Sequence, residues 1–438
     1  MKDIVLSINT VEAPLLGAVR RLSKELGRSL SGLVLVDKNY ADKPERAQDT
    51  SGLFTEIVCD FYNSAELQRA LKPYIDRLLV VTCRLEGAIP SLRQAIPFLP
   101  YLDTPSETSL LWSTDKSMMR DRLSTYDRSL APRYQYLEST DLPHVRDLVR
   151  DFTFPVIVKP TNLAKSLLVS DCSTMEELES CLQETFEIIH EVYAKERRRT
   201  TPSVLVEEMM QGAMYSTDAY VTKNGDVYCL PLVRVWTAND VGLPGFYGFR
   251  IQAPVELPQS EIDQAFQVST NAVKALNLRS TTTHIELFQT AQGWKIIEVG
   301  ARIGGYRETL YREAYGIEHF YNDLLVRMGR KPEMPGKPIR HATGLNIYAD
   351  EEGIITAIDG LQEARKLESV VFIEKHAQPG DLALFASEGG DLIVDAILSN
   401  KDPEQLEKDV QSLLRLVRIR VKQPKTQAAI KRRPALVS

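Results

Sequence analysis

His284-Ile285-Glu286-Leu287-Phe288-Gln289-Thr290-Ala291-Gln292-Gly293-Trp294-Lys295-Ile296-Ile297-Glu298-Val299-Gly300-Ala301-Arg302 reads as two strands joined by a tight turn. A three-residue loop, Ala291-Gln292-Gly293, with the glycine supplying a left-handed position, would set Thr290 opposite Trp294, Phe288 opposite Ile296 and Glu286 opposite Glu298. Residues directly opposite on a ladder have Cβ atoms about 5 Å apart, and two like charges there destabilise the pair. The surrounding residues Ile285, Leu287, Ile296, Ile297 and Val299 are apolar, so the strands are built for partial burial. Two explanations stand: a solvated sheet face that tolerates its charges, or a site for a hard divalent cation, which binds carboxylate and phosphate oxygens.

The segment beyond the second strand weights the choice. Glu298-Val299-Gly300-Ala301-Arg302-Ile303-Gly304-Gly305 puts an arginine just past the strand end, among glycines that let backbone approach closely. A guanidinium fork in such a place can hold a phosphoryl group with two hydrogen bonds; the alternative is a surface arginine in a glycine turn. Arg307 and Arg312 follow, so a locally basic stretch adjoins the acidic pair. Upstream, Lys159 ends the apolar run Phe154-Pro155-Val156-Ile157-Val158-Lys159-Pro160, where the proline must end the strand. It is either a rim lysine with a buried stem or a phosphate ligand. Lys116 opens a helix in Asp115-Lys116-Ser117-Met118 and faces the same choice.

Working outward, the first hundred residues alternate strand and helix: Ile4–Ile8, Leu15–Leu26, Leu33–Val36, Ala65–Leu71 and Leu78–Val81. Alternation of this kind implies a parallel sheet with crossover helices. The turn after the first strand, Asn9-Thr10-Val11-Glu12-Ala13-Pro14, lacks G-x-G-x-x-G, which argues against a dinucleotide site there. Residues 154–206 read as strand, short strand (Leu167–Ser170), long helix (Thr174–Ala194) and strand (Ser203–Val206), a small subdomain of its own. Tyr215–Val221 and Val227–Val233 flank Asn224-Gly225, a hairpin signal. Asn239–Phe249, with three glycines, reads as a mobile loop, and Pro258–Leu276 and His319–Met328 as helices. After the Pro-rich Lys331–Pro338, strands Ile354–Ile358, Val370–Glu374 and Leu392–Leu398 and helix Pro403–Leu416 form a mixed unit, and Pro424–Ser438 reads as a disordered basic tail.

With 438 residues, the chain exceeds what one core supports. A net charge of −6 argues against a nucleic-acid binder. No stretch approaches the roughly 20 apolar residues of a spanning helix, and the N-terminal apolar run is too short for a signal peptide. Five scattered cysteines, with no C-x-x-C, imply reduced thiols and a cytoplasmic protein.

In this order the motifs resemble the ATP-grasp superfamily: Lys116, Lys159-Pro160, the segment Val206-Glu207-Glu208-Met209-Met210-Gln211-Gly212, then Glu286…Glu298-Val299-Gly300-Ala301-Arg302. The C-terminal unit, with Ile358-Asp359-Gly360-Leu361 and Gln378-Pro379-Gly380-Asp381, is similar to the last domain of ATP-grasp carboxylate–amine ligases such as bacterial L-amino-acid ligases. The resemblance implies an α/β and α+β multidomain ATP-grasp fold. Its parts would be a Rossmann-like pre-ATP-grasp domain (1–112), an ATP-grasp domain (113–335, lid about 152–212), a C-terminal α+β ligase domain (336–421) and the tail (422–438). It implies ATP and Mg²⁺ (or Mn²⁺) as cofactors, small carboxylate and amine substrates, and a homodimer. Lys116 and Lys159 would contact the phosphates, with Lys165 and Ser166 of the lid loop reaching them by side chain. Glu207, Glu208, Met209, Met210 and Met214 would line the nucleotide site, Glu286 and Glu298 would bind the metal, and Arg302, with Lys159, would stabilise the transferring phosphoryl group. An acyl phosphate passed to an amine is the implied reaction; a carboxylase or kinase-like relative and a non-catalytic nucleotide-binding module are the alternatives. Three departures from the family pattern stand out. The lid loop Thr161–Ser166 has no glycine, Met214 replaces the ribose-binding Glu, and Gly300 replaces a frequent metal-binding Asn. Arg234, Arg250 and His284 are candidates for the substrate pocket or for structural bonds.

Overall fold

A computed structural model describes residues 2–42, 49, 51–163, 167–243, 246–385 and 390–422. The expected tail lies outside these residues from position 423 onward. The N-terminal sheet is formed by β1 (Ile4–Ile8), β2 (Ser31–Asp37), β3 (Phe54–Cys59) and β4 (Leu78–Cys83), all parallel, in the order β3-β2-β1-β4. It is the parallel sheet that the strand–helix alternation predicts. β1 is buried along its whole length because helices cover both faces. The first helix, Ala13–Glu25, starts with a proline in its first turn, where a missing N–H costs nothing. Sequence patterning misses β3, an edge strand whose middle residues are exposed or half-buried and so lack an apolar run.

Helices Glu107–Thr114 and Lys116–Tyr126 lead into a second, smaller sheet. It contains β5 (Tyr134–Leu137), β6 (Val156–Pro160), β7 (Ser170–Cys172) and β8 (Val204–Glu208), antiparallel in the order β5-β8-β6-β7. Helix Met175–Lys195 packs on it, capped by Thr174, whose hydroxyl accepts from the Glu177 N–H. β7 begins later than the apolar residues suggest, because Leu168 sits at φ 57° and breaks the extended chain. This unit has a core of its own, built from Val156, Val158, Leu178, Leu182, Ile189 and Val206 among others.

The third sheet is long and antiparallel. β9 (Ala213–Val221), β10 (Val227–Cys229), β11 (Val233–Thr237), β12 (Gly248–Ala253), β13 (Thr281–Thr290), β14 (Gly293–Gly300), β15 (His341–Ile347), β17 (Val370–Lys375) and β19 (Val394–Asn400) contribute to it. Its order is β14-β13-β9-β11-β12-β15-β19-β17, with β10 beside β9. The sheet therefore passes without a break from the central strands into the C-terminal unit. The single run expected over Val227–Val233 is two strands, separated at Leu230-Pro231-Leu232, since proline cannot donate to a ladder. Part of the glycine-rich stretch, read as a loop, forms β12; residues 244–245 of that stretch lie outside the described residues. A small sheet of β16 (Gly353–Asp359), β18 (Leu382–Ala383) and β20 (Arg418–Lys422) flanks helix Pro403–Leu416, which Asp402 caps.

Helix Gln259–Ala275 and the hairpin β13–β14 share one hydrophobic cluster with the N-terminal sheet. Helix His319–Arg327 adds Phe320, Tyr321, Leu324 and Leu325 to a second cluster on the sheet's other face. The hairpin is thus held from behind, while its acidic face looks toward the small β5–β8 sheet. Among the described residues, no helix is long and apolar enough to cross a membrane.

Candidate active site

The hairpin carries Glu286 opposite Glu298, as the sequence suggests, but by another route. The loop has two residues, Ala291-Gln292, and Thr290 pairs with Gly293, Gln289 with Trp294, Phe288 with Lys295 and Leu287 with Ile296. A bulge at Ile297 then inserts one residue and restores the register, so that Glu286 meets Glu298 and Ile285 meets Val299. The expected three-residue loop is therefore corrected: its missing residue reappears as the bulge. Bulges are used near active sites to re-aim side chains. This one brings both carboxylates to the same face.

Cations surround the pair. Lys116, first residue of its helix, has Nζ 3.5 Å from Glu298 Oε2 and donates to the Leu163 carbonyl at 2.7 Å. His284 Nε2 lies 3.3 Å from Glu286 Oε1. Burial alone would raise the Glu286 carboxyl, but the hydrogen bond and charge of His284, with the charges of Arg302 and Arg307, hold it below the ordinary range. Two facing, half-buried carboxylates suit a hard cation, and Lys116 and His284 answer part of their charge.

His284 is itself fixed from behind. Its Nδ1 lies 2.6 Å from Asp218 Oδ1, and Asp218 Oδ2 lies 2.7 Å from His319 Nε2. His319 Nδ1 continues to the Tyr220 hydroxyl at 2.8 Å, and the Gly304 N–H donates to Asp218 at 2.8 Å. Asp218 and His319 are fully buried. Burial would raise Asp218, but the two histidines hold it far below the usual carboxylate range. Burial would lower His284, and Asp218 outweighs it, so His284 is raised. Sequence reading singled out His284 but had no signal for Asp218 or His319, which stand 66 and 101 residues apart from their partners.

Arg302 donates from Nε to Glu86 Oε2 at 2.7 Å. Glu86 comes from the segment just after β4 of the parallel sheet, and nothing in its local sequence marks it. A Cβ at Gly300 would stand 2.7 Å from that same oxygen. A glycine at this position therefore makes room for a carboxylate from the segment that follows β4.

Lys159 ends β6 on the small sheet. Its Nζ donates to Glu207 Oε2 at 2.5 Å, and Glu207 Oε1 takes the Arg120 Nε–H at 2.5 Å. Arg120 Nη2 also donates to the Ile297 carbonyl, at the hairpin's bulge. Arg120 and Glu207 are fully buried. Burial would raise the Glu207 carboxyl, but Arg120 and Lys159 bring it down to about 2. Lys159 is lowered, by its burial first and by the neighbouring positive charges. The side chain of Glu207, expected beside the nucleotide, thus points to Lys159 and Arg120 instead; Arg120 was not foreseen.

One cavity lies between the small sheet and the hairpin. Lys116 and Lys159 line it, with Glu286 and Glu298, the chain segment Glu208, Met209, Met210 and Met214, and an apolar wall of Ile157, Leu167, Val169, Phe288 and Ile297. An apolar cavity that also carries two lysines and two carboxylates has the composition of a site for a purine with a metal-bound polyphosphate. The Met209 N–H is already used by the Pro155 carbonyl at 3.0 Å, and Glu208 accepts from the Thr153 N–H. Lys165 and Ser166 lie outside the described residues. A second cavity continues from the first through Met214, Phe246, Glu286 and Glu298, and is also lined by Glu86, His284, Arg302 and Arg307. Arg234 and Arg250 do not line it. Arg234 donates to the Met214 and Val235 carbonyls, and Arg250 pairs with Glu407.

These features can be set beside known proteins. A family model of the ATP-grasp domain matches residues 152–310, and one of the L-amino acid ligase C-terminal domain 2 matches residues 346–422. The uncharacterized protein y4rH of Sinorhizobium fredii is 24% identical over 250 residues, 56% of this chain and 48% of that protein. Carnosine synthase 1 of Gallus gallus is 25% identical over 142 residues, 30% of this chain and 15% of that protein. The chain thus matches about half the length of the first of these curated relatives and a smaller part of the second. Among solved structures, an L-amino acid ligase from Bacillus licheniformis superimposes with a TM-score of 0.77 at 19% identity, covering 96% of this chain and 99% of that one. N5-carboxyaminoimidazole ribonucleotide synthetase from Thermotoga maritima superimposes with a TM-score of 0.67 at 18% identity, covering 96% and 100%. At such identities the superpositions speak for a common fold. Residues 152–310 are thus an ATP-grasp domain, and residues 346–422 match the C-terminal domain 2 of L-amino acid ligases, on a fold shared with that ligase structure.

Proposed function

We propose that the protein is an ADP-forming carboxylate–amine ligase that uses Mg²⁺-ATP. The observation that carries this reading is the pair Glu286 and Glu298, facing each other across the ladder and lining the same cavity as Lys116 and Lys159. Adenine would lie in the slot against Ile157, Val169, Met210 and Phe288, and the two lysines would take the phosphates. Mg²⁺ between the two carboxylates would neutralise charge on the β- and γ-phosphates.

The chain's own groups then do the following. Lys116 leaves Glu298 as nucleotide binds and turns to phosphate. The substrate's carboxylate oxygen attacks the γ-phosphorus, the bond to the β–γ bridging oxygen breaks, and ADP leaves. Arg302, anchored by Glu86, lies beside Glu298 and offers its remaining N–H groups to the acyl phosphate. An amine nitrogen attacks the acyl carbon, inorganic phosphate leaves, and the nitrogen gives up a proton. No nucleophilic side chain is needed, since positioning and charge neutralisation supply most of the catalysis in phosphoryl transfer. The division into an N-terminal domain (1–112), an ATP-grasp domain (113–335) and a C-terminal domain (336–421) belongs to the same reading, and the unpaired cysteines support a cytoplasmic setting.

The test is ADP and phosphate release from Mg²⁺-ATP with pooled amino acids and small carboxylic acids, with Glu298→Ala alongside. Substrate-dependent ADP release, lost by about 100-fold or more in the variant, is expected. Release of AMP and pyrophosphate would overturn the mechanism. A carboxylated or stably phosphorylated product would overturn the ligase assignment in favour of a carboxylase or kinase.

A further inference from the structure

A third cavity lies outside the carboxyl ends of the parallel strands. Asp37 ends β2, Tyr62 follows β3, and Gly87, Pro90 and Ser91 follow β4; all of them line it. Open α/β sheets bind their ligands at that edge. Residues 196–200, just past helix Met175–Lys195, line it too, so it spans the joint between the parallel sheet and the β5–β8 unit. It holds about 340 Å³, within the range of small-molecule sites, and shares no lining residue with the nucleotide cavity. Four arginines line it: Arg93, from helix Ile89–Ala95, and Arg197, Arg198 and Arg199. Arg197 ties the two units together, its Nη1 and Nη2 donating to Asp42 Oδ1 and Oδ2 at 2.7 and 3.0 Å. The other three form no ion pair with any carboxylate of the described residues. Arg198 Nε is buried without a hydrogen-bond partner, and the Arg199 guanidinium carbon lies 3.9 Å from the centre of the Tyr62 ring. The acids on the wall do not answer them. Asp37 is buried and accepts from the Asn39 N–H, the Asn39 amide and the Ser91 hydroxyl, and Glu196 forms no ion pair among the described residues.

Cations near the end of a helix suit its dipole. That accounts for part of the arginine run, but not for Arg93, which reaches the same space from another element. The helix is closed by Arg197 at φ 55°, with the Arg198 N–H donating to the Tyr193 carbonyl at 2.8 Å. Glycine is the usual residue in that left-handed position, since it has no Cβ to strain it. The chain keeps an arginine there instead, and strain of this kind is retained where a site needs the side chain. Guanidinium groups cannot shed their charge at any ordinary pH, so three of them gathered without a counter-ion repel one another. An anion from outside the chain resolves this. A carboxylate offers two oxygens and one charge; phosphate offers more of both, and the guanidinium fork holds it through two parallel hydrogen bonds. The hydroxyl residues Ser91, Thr114 and Thr200 line the same cavity and suit the same ligand.

We propose that this cavity binds a phosphate-bearing small molecule, which bridges Arg93 to Arg198 and Arg199 and so holds the β5–β8 unit against the parallel sheet. The site is separate from the nucleotide cavity and does not depend on the ligase reading. Inorganic phosphate, pyrophosphate and ribose 5-phosphate are titrated calorimetrically, without nucleotide or metal, into the wild type and into Lys116→Met, which lacks a phosphate contact of the nucleotide site. At least one probe is expected to bind both proteins with a Kd below about 1 mM. It is also expected to raise the melting temperature beyond the effect of sodium chloride at equal ionic strength. Tightest binding of pyrophosphate identifies the ligand as a diphosphate, and of ribose 5-phosphate as a phosphate ester; either supports the site. Arg93→Gln and Arg198→Gln, each added to Lys116→Met, are expected to weaken that binding by about tenfold or more, since each removes a charge-assisted contact. Without ligand both should melt within about 2 °C of their parent, because the arginines they replace have no partner to lose. No binding beyond the salt effect by any of the three probes overturns the proposal, and so does binding that is unchanged in either arginine variant. A larger fall in melting temperature without ligand also overturns it, because the arginines would then serve the fold and not a ligand.

Discussion

Replacing Glu207 by glutamine keeps the shape of the side chain and removes the charge between two buried cations. Arg120 and Lys159 then face each other around a neutral amide. The carboxyl sits at about 2 in the fold against an ordinary 4.5, because the two cations outweigh the burial that would raise it. That difference, at about 1.4 kcal/mol per pH unit, makes the ionised form worth about 3 kcal/mol. Breaking a buried pair by removing one partner costs a similar amount, about 3–5 kcal/mol. The folded value is depressed, so this stabilisation is complete above the ordinary value of 4.5 and fades as pH falls from there toward 2. Thermal unfolding of the wild type and Glu207→Gln at pH 7 should therefore differ by about 6–12 °C, at about 2–4 °C per kcal/mol for a cooperative unit of 150–250 residues. The gap should narrow as pH is lowered to about 3.5. A gap under about 2 °C at pH 7, or one that widens on acidification, would refute the assignment of Glu207 as the counter-ion of both cations.

Other outcomes follow from the same geometry. Lys116→Met should weaken ATP binding by about tenfold or more, read by titration without a second substrate, since it removes a charge-assisted phosphate contact; unchanged affinity would remove Lys116 from the nucleotide site. Gly212→Ala should destabilise by about 2 kcal/mol or more in urea unfolding, because φ is 143° and the new Cβ would stand 2.0 Å from the Gln289 carbonyl oxygen. His319→Phe should cost about 2–4 kcal/mol in the same assay, leaving Asp218 short of one partner and the Tyr220 hydroxyl without its ring nitrogen; a neutral result would mean that the buried chain from Tyr220 to Glu286 does not act as a unit.

How much of this was legible beforehand varied with the physics of each residue. The facing of Glu286 and Glu298 could be read because a ladder has a period of two and an Ala-Gln-Gly turn marks its closed end. The loop length and the bulge could not, because both arrangements give the same facing pair. Lys116 and Lys159 announce themselves by their places at a helix start and a strand end. Glu86, Arg120 and Asp218 carry no such mark: each acts on a partner 66 or more residues away, and a single polar residue in an apolar or helical run fits a dozen roles. Edge strand β3 and strand β12 were missed for a related reason, since exposure and glycine dilute the apolar alternation that reveals a strand. The likeness of the C-terminal unit to a ligase domain could be read from its motifs; that its strands extend the central sheet could not, because pairing between β12 and β15 leaves no trace in either segment alone.

That shared sheet has a consequence for anyone who cuts or recombines the chain. β12 pairs with β15 over Arg250–Ala253, and β15 pairs with β19 along its whole length. A fragment ending before His341 would leave β12 as a bare edge, with open N–H and C=O groups ready to take up any extended segment, its own copy included. Such a truncation should precipitate or self-associate even though the nucleotide slot is complete without the missing strands. Exchanging the part from His341 onward between relatives is likewise a matter of splicing one ladder into another in the correct register, where a slip of one residue turns every side chain to the wrong face.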